Sequence, residues 1–288
     1  MSALRFALLS MACLTMLACS AGMTSAQQPS NGIEQQAREV GQDCHDRLVR
    51  ISTDTLWYCG VLTEQLTAEI QNEWSASTTN LVISSEGGLS SSAIRLTNFL
   101  NSQRATVTLR LACLSACAHI IFVGADNLVV EEGAIVAFHH TATFNYMNYG
   151  TEARPFEHEV LERESAAELS YYAERDLDAR FLLWPGIATN VSCIGFDPDR
   201  PAQQFVVVSQ FGWVVPSRAE VENVRNARFA GWWPLSRQDV SNAFARVGGA
   251  SLTFLSGVRS PNVEIGALTE YVQGLRRCDE GDFMSPGD

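Results

Sequence analysis

The chain reads as an α/β protein. Three observations lead to that class: short apolar runs rich in β-branched residues, segments between them whose apolar positions recur at helical spacing, and a regular alternation of the two from about residue 55 to 140. Strand, helix, strand in that order calls for parallel neighbours joined by crossover helices. The first strand is LWYCGVL (56–62) and the second NLVISS (80–85), with TEQLTAEIQNEW (63–74) as the helix between them. SSSAIRLTNFLNSQ (90–103) follows as a helix, and Ser90 or Ser91 supplies a side chain able to cap its start. ATVTLRLA (105–112) is then a strand, SACAHIIFVGA (115–125) a helix, and NLVVEE (127–132) and AIVAFHH (134–140) are two more strands. Residues 156–183 form one long amphipathic helix, which Pro185 and Gly186 end. Its His158, between Glu157 and Glu159, belongs to a solvated face. Two further helices lie within 232–249, closing near Gly248, and within 261–277; both read as packing elements.

Residues 1–26 carry one positive charge at Arg5, an apolar stretch over 6–17 and then small residues, the layout of a secretory signal peptide cleaved after Ala26. A rival reading is lipid attachment through Cys19, where MLAC approximates a lipobox. The expected location is therefore periplasmic or secreted, with a lipid-anchored form as the alternative. Residues 27–43 are a polar lead-in, 44–248 a single domain and 249–288 a helical extension. Beyond the leader no apolar run approaches the roughly 18–20 residues a spanning helix needs.

The formal charge of the whole chain is -12, and it becomes -13 once Arg5 leaves with the leader. Acidity of this size disfavours nucleic acid and anionic membranes as partners. Of eight cysteines, six remain after the leader: Cys44, Cys59, Cys113, Cys117, Cys193 and Cys278. In an oxidising compartment they form up to three disulfides. Cys113 and Cys117 are close enough to pair across the turn at Ser115; the sequence leaves the pairing of the other four open. A metal site built from Cys113, Cys117, His139 and His140 ranks low, because an exported C-x-x-x-C is more often oxidised and the spacing matches no usual zinc pattern. Nothing resembles a nucleotide-binding loop, and no cofactor or metal is expected.

Residues 113–140, CLSACAHIIFVGADNLVVEEGAIVAFHH, carry the chemistry. A serine at a strand-to-helix turn holds its hydroxyl where unpaired amides and the positive end of the helix dipole stabilise a developing oxyanion. A neutral imidazole within reach takes its proton during attack. Equally, Ser115 reads as a plain helix cap and His139 as a satisfied core histidine, while Gly87 and Gly88 read as a tight turn. His119, four residues beyond Ser115 on the same helical face, is a second candidate base.

The order LVISSEGG (81–88), helix, strand ending in CLSAC, helix ending in VGA, strand ending in AFHH resembles the Clp peptidase branch of the ClpP/crotonase superfamily. More closely it resembles exported bacterial proteins of that fold with a C-x-S-A-C nucleophile turn. The resemblance implies stacked parallel β-sheet units with crossover helices, and makes the 156–183 helix a handle-type element. It matches Ser115 to the nucleophile, His139 to the general base (with His140 as the one-residue alternative) and Gly88 to an oxyanion-hole amide, with the Ala116 amide beside it. It implies a serine hydrolase acting on peptides. The pattern departs at the third member: FGWVVPSRAEVENVR (211–225) aligns Ser217 with a helix-start serine but puts Trp213 near the expected aspartate. Asp197, Asp199 and Glu220 are alternative acids among which the sequence does not choose. The missing acid supports a second expectation, a non-catalytic member of the same fold that binds a peptide or protein partner of the cell envelope. The handle implies a packing or dimerising surface, so a homo-oligomer is expected, without implying a ring.

Overall fold

The computed structural model describes residues 47–149, 155–195, 206–249 and 251–278. The leader, Cys19, Cys44, the polar lead-in, Asp197 and Asp199 lie outside the described residues. A central, mostly parallel sheet runs in the order β1-β2-β3-β4-β5-β10, with β6 also paired to β4. Its strands are β1 (Arg47–Arg50), β2 (Thr55–Leu62), β3 (Asn80–Gly88), β4 (Thr106–Leu114), β5 (Asn127–Val130), β6 (Ile135–Ala137) and β10 (Ala230–Gly231). Only β1 is antiparallel to its neighbour. Two small two-stranded sheets accompany it: β7 (Val191–Gly195) with β8 (Val206–Ser209), antiparallel, and β9 (Trp213–Pro216) with β11 (Phe254–Val258), parallel.

The period-2 pattern of β2 divides its side chains between two faces. Leu56, Tyr58 and Leu62 enter the main core, whereas Trp57 and Cys59 join Val82 in a small cluster on the other face. The helices α1 (Glu64–Glu73) and α2 (Ser90–Ser102) make the crossovers expected between β2, β3 and β4. Thr63 caps α1 by accepting from the Leu66 amide. α2 departs from expectation, because neither Ser90 nor Ser91 caps it; its cap position is Leu89, with no side-chain acceptor of its own. After Ser115 the chain forms a π-helical segment, Cys117–Phe122, rather than a regular α-helix.

A helix absent from the expected elements, α3 (Ala142–Tyr149), follows β6 and packs on α4 (Pro155–Glu174). α4 is shorter than the expected 156–183 helix: it stops at Glu174, where Asp176 turns left-handed (φ 53°) and the Leu177 amide bonds back to the Tyr172 carbonyl. That 6→1 closure is how helices end at a left-handed residue. Pro185 then sits inside a separate short helix, α5 (Trp184–Ala188). The chain continues through α6 (Arg218–Arg225) and α7 (Arg237–Arg246). The C-terminal extension is not purely helical: β11 joins β9 before α8 (Ile265–Gln273). Among the described residues no helix is long and apolar enough to cross a membrane.

Candidate active site

Strand β4 builds the site by splitting its partners. Its first half, residues 106–109, pairs with β5; its second half, 112–114, pairs with β6. Between them the chain bulges, with Leu111 at φ 58°. The register Leu114↔Ala137 brings the residues after β6 alongside Ser115, whose amide bonds the Ala137 carbonyl at 3.3 Å. On the other side Ser85↔Cys113 sets Gly87 against Ser115. A Cβ at Gly87 would lie 2.5 Å from the Ser115 Cβ, and one at Gly88 2.3 Å from the Leu62 carbonyl oxygen, both at positive φ. Two glycines are thus required by close approach as well as by conformation.

Ser115 adopts φ 54°, left-handed for a non-glycine residue, at the turn from strand into helix. The His119 amide bonds its carbonyl at 2.8 Å and starts the following turn. The Ser115 hydroxyl lies 2.6 Å from His139 Nε2. Ser115, His139, Gly88 and Ala116 all line one cavity of about 250 Å³. His140 lines it too, but the hydrogen bond to Ser115 is made by His139. Cys113 and Cys117 are joined in a disulfide that spans the turn, with Cα atoms 5.2 Å apart. Both sulfurs of the metal alternative are consumed by it, and among the described residues no other cluster has metal-ligand character. A second disulfide links Cys193 to Cys278, and Cys59 is also disulfide-bonded.

The pair Phe138 and Val214 exchange both backbone hydrogen bonds in an antiparallel bridge, at 2.9 and 2.8 Å. His139 therefore faces Trp213, and their rings lie 4.7 Å apart at 38°. The position expected to carry an acid thus does touch the imidazole, but with an indole. Among the described residues no carboxylate hydrogen-bonds His139; Glu220 instead accepts from the Ser260 amide. Burial, with His140 and His119 nearby, holds the His139 pKa well below 6.5, so the ring is neutral and able to accept a proton.

His119 is no second base. It is 2% exposed, and its Nε2 lies 2.9 Å from the His139 carbonyl oxygen, to which it donates. Burial pushes its pKa down to about 3.

Two acids escaped the sequence reading. Glu168, 1% exposed on α4, accepts from the Ser90 hydroxyl at 2.6 Å, the Thr143 hydroxyl at 2.7 Å and the Thr143 amide at 2.8 Å, with the Ala142 amide at 3.3 Å. Glu164, one turn earlier, accepts from both the amide and the hydroxyl of Ser91 at 2.8 Å. α4 therefore caps the N-termini of α2 and α3 together and walls the cavity. The only signal in sequence was the i, i+4 spacing of two acids, which is also that of an ordinary solvated face.

No protein-family model matches the chain, and no curated protein matches it.

Proposed function

We propose that the chain is an exported serine hydrolase of the Clp-peptidase type, acting on peptides, with a ClpP/crotonase-like arrangement of its α/β fold. The observation that carries this reading is the 2.6 Å contact between His139 Nε2 and the hydroxyl of a left-handed Ser115 at a strand-to-helix turn. A serine on such a strained turn presents its oxygen clear of the strand. In the reaction Ser115 Oγ attacks the scissile carbonyl carbon while Nε2 takes the hydroxyl proton. The oxyanion is stabilised by the Gly88 and Ala116 amides at the cavity mouth. Nε2 returns the proton to the leaving amine, and water repeats the cycle on the acyl-enzyme. The charged imidazole then stands against Trp213 rather than a carboxylate, an arrangement slower than a full triad.

That indole is also what favours a second reading, a non-catalytic protein that binds a peptide in the same cavity. Labelling with a fluorophosphonate separates the two. Wild-type protein is expected to label, and Ser115→Ala and His139→Ala not to, with unchanged far-UV circular dichroism in all three. Failure of the wild type to label decides for the binding protein.

A further inference from the structure

With no carboxylate to hold its imidazole, His139 needs another source of the 2.6 Å contact with Ser115. Strand pairing ends one residue before it, at the bridge between Phe138 and Val214. Trp213 lies against the ring, a contact that limits its tilt without fixing the main chain beneath. No backbone amide among the described residues bonds the His139 carbonyl oxygen. That oxygen accepts instead from the side chain of His119, whose Nε2 lies 2.9 Å away. A carbonyl can only accept, so Nε2 carries the ring proton. The other partner is held by the same residue, because the His119 amide donates to the Ser115 carbonyl at 2.8 Å. His119 thus bonds the main chain of both members of the pair.

Almost any residue at 119 would make the amide bond, but the side-chain bond needs a neutral donor in a closed core. A lysine or arginine would bring a charge into it. A phenylalanine or leucine would pack against Phe138 and Phe181, whose ring centroids lie 5.1 and 6.0 Å from that of His119, and would offer no donor. Histidine even carries a cost there, since Nδ1 is buried without a hydrogen-bond partner, a cost that an apolar residue would avoid. What histidine adds is the Nε2 donor. Its own frame is fixed: the Tyr172 hydroxyl bonds the His119 carbonyl at 2.9 Å, and burial pushes the ring pKa down to about 3, so the tautomer does not change near neutrality. We infer that His119 is a positioning residue, which holds the main chains of Ser115 and His139 at the separation that proton transfer requires. It performs the geometric part of an absent acid's work and none of the electrostatic part, because a neutral ring adds no charge beside the imidazolium. As a contribution to catalysis this role rests on the hydrolytic reading of Ser115; as a hold on the geometry it stands apart from it.

The test measures fluorophosphonate labelling of Ser115 and urea denaturation in wild type, His119→Phe, His119→Gln and Phe181→Leu, with His119→Leu in place of His119→Phe should the phenyl ring prevent folding. His119→Phe keeps an aromatic ring and loses the donor, and its labelling rate is expected to fall by about 10- to 100-fold, the cost of a misplaced base. His119→Gln, whose side-chain amide donates from nearly the place of Nε2, should recover most of that rate. Phe181→Leu loosens the same core without removing a hydrogen bond and should label close to wild type at a comparable loss of stability. Wild-type labelling in His119→Phe, no recovery in His119→Gln, or an equal loss in Phe181→Leu overturns the positioning role and leaves the hydrolase standing. No labelling of the wild type overturns the hydrolase instead, and the hold on the geometry is then read from protein carrying ¹⁵N-labelled histidine. A His139 Nε2 resonance that moves in His119→Phe to its value in Ser115→Ala, and stays in place in His119→Gln, upholds the positioning; one that His119→Phe leaves unmoved overturns it.

Discussion

At residue scale the site is a set of exceptions to ordinary backbone and side-chain rules. Ser115 and Leu111, both non-glycine, hold positive φ within five residues of each other, and each such residue costs on the order of 1 kcal/mol or more. The sheet register on both sides of β4 over-determines the turn and so maintains it. Trp213 is the residue with the most testable role. It shields His139 from water, and desolvation is the leading reason that the histidine pKa is depressed. A base with a depressed pKa keeps its neutral form on acidification, so wild-type labelling should stay flat as pH falls through 6.5 and drop only well below it. In Trp213→Ala, water reaches the ring and the pKa rises towards 6.5. The acid limb of the labelling profile should move up accordingly, with a loss of about 10- to 100-fold in rate from the freed imidazole. Superimposable pH profiles for the two proteins would show that the indole does not control the base.

At the scale of elements, α4 is a clamp as well as a packing surface. Through Glu164 and Glu168 it supplies the cap that α2 lacks and adds to the Thr141 cap of α3, and so holds together β3, which precedes α2, and β6, which precedes α3. Glu168→Leu removes the acceptor from two buried amides and two hydroxyls and should destabilise the protein by on the order of 3 kcal/mol, measured by urea denaturation. A loss below about 1 kcal/mol would mean that water replaces the carboxylate. Burial holds the Glu168 pKa above the usual carboxylate value, and its four donors oppose that rise. None of this was legible in the sequence, since an acid four residues from another on a helix looks solvated until the termini it meets are known. Strands β2 to β6 were legible, because apolar runs separated by helical segments define a parallel sheet directly. Ser115 and His139 were legible together through their order along the chain. The strand β11 and the helix α3 were not, because β11 pairs with a strand distant in sequence and the Thr141 cap of α3 is completed by Glu168 from α4.

At the scale of the whole molecule, the disulfides divide their work between the site and the chain. Disulfides form and persist in oxidising compartments, so their presence accords with an extracellular or periplasmic setting. Cys193–Cys278 closes a sequence separation of 85 and returns the C-terminal segment to β7, where the Cys278 amide bonds the Ile194 carbonyl at 3.0 Å. Cys113–Cys117 closes a separation of only 4. In the chain-entropy view the long loop is worth about 4–5 kcal/mol and the short one about 2. Denaturation should therefore rank the double variant Cys193→Ala/Cys278→Ala as the less stable. Labelling of Ser115 should rank the two in the opposite order. The short bridge ties the end of β4 to the π-helical segment across the nucleophile, so Cys113→Ala/Cys117→Ala should lose more labelling than Cys193→Ala/Cys278→Ala despite its smaller loss of stability. If the two measurements rank the variants the same way, labelling merely follows stability and the short bridge has no separate hold on the turn. If they cross, that disulfide positions Ser115, and reduction of it would switch the site off while leaving the molecule folded.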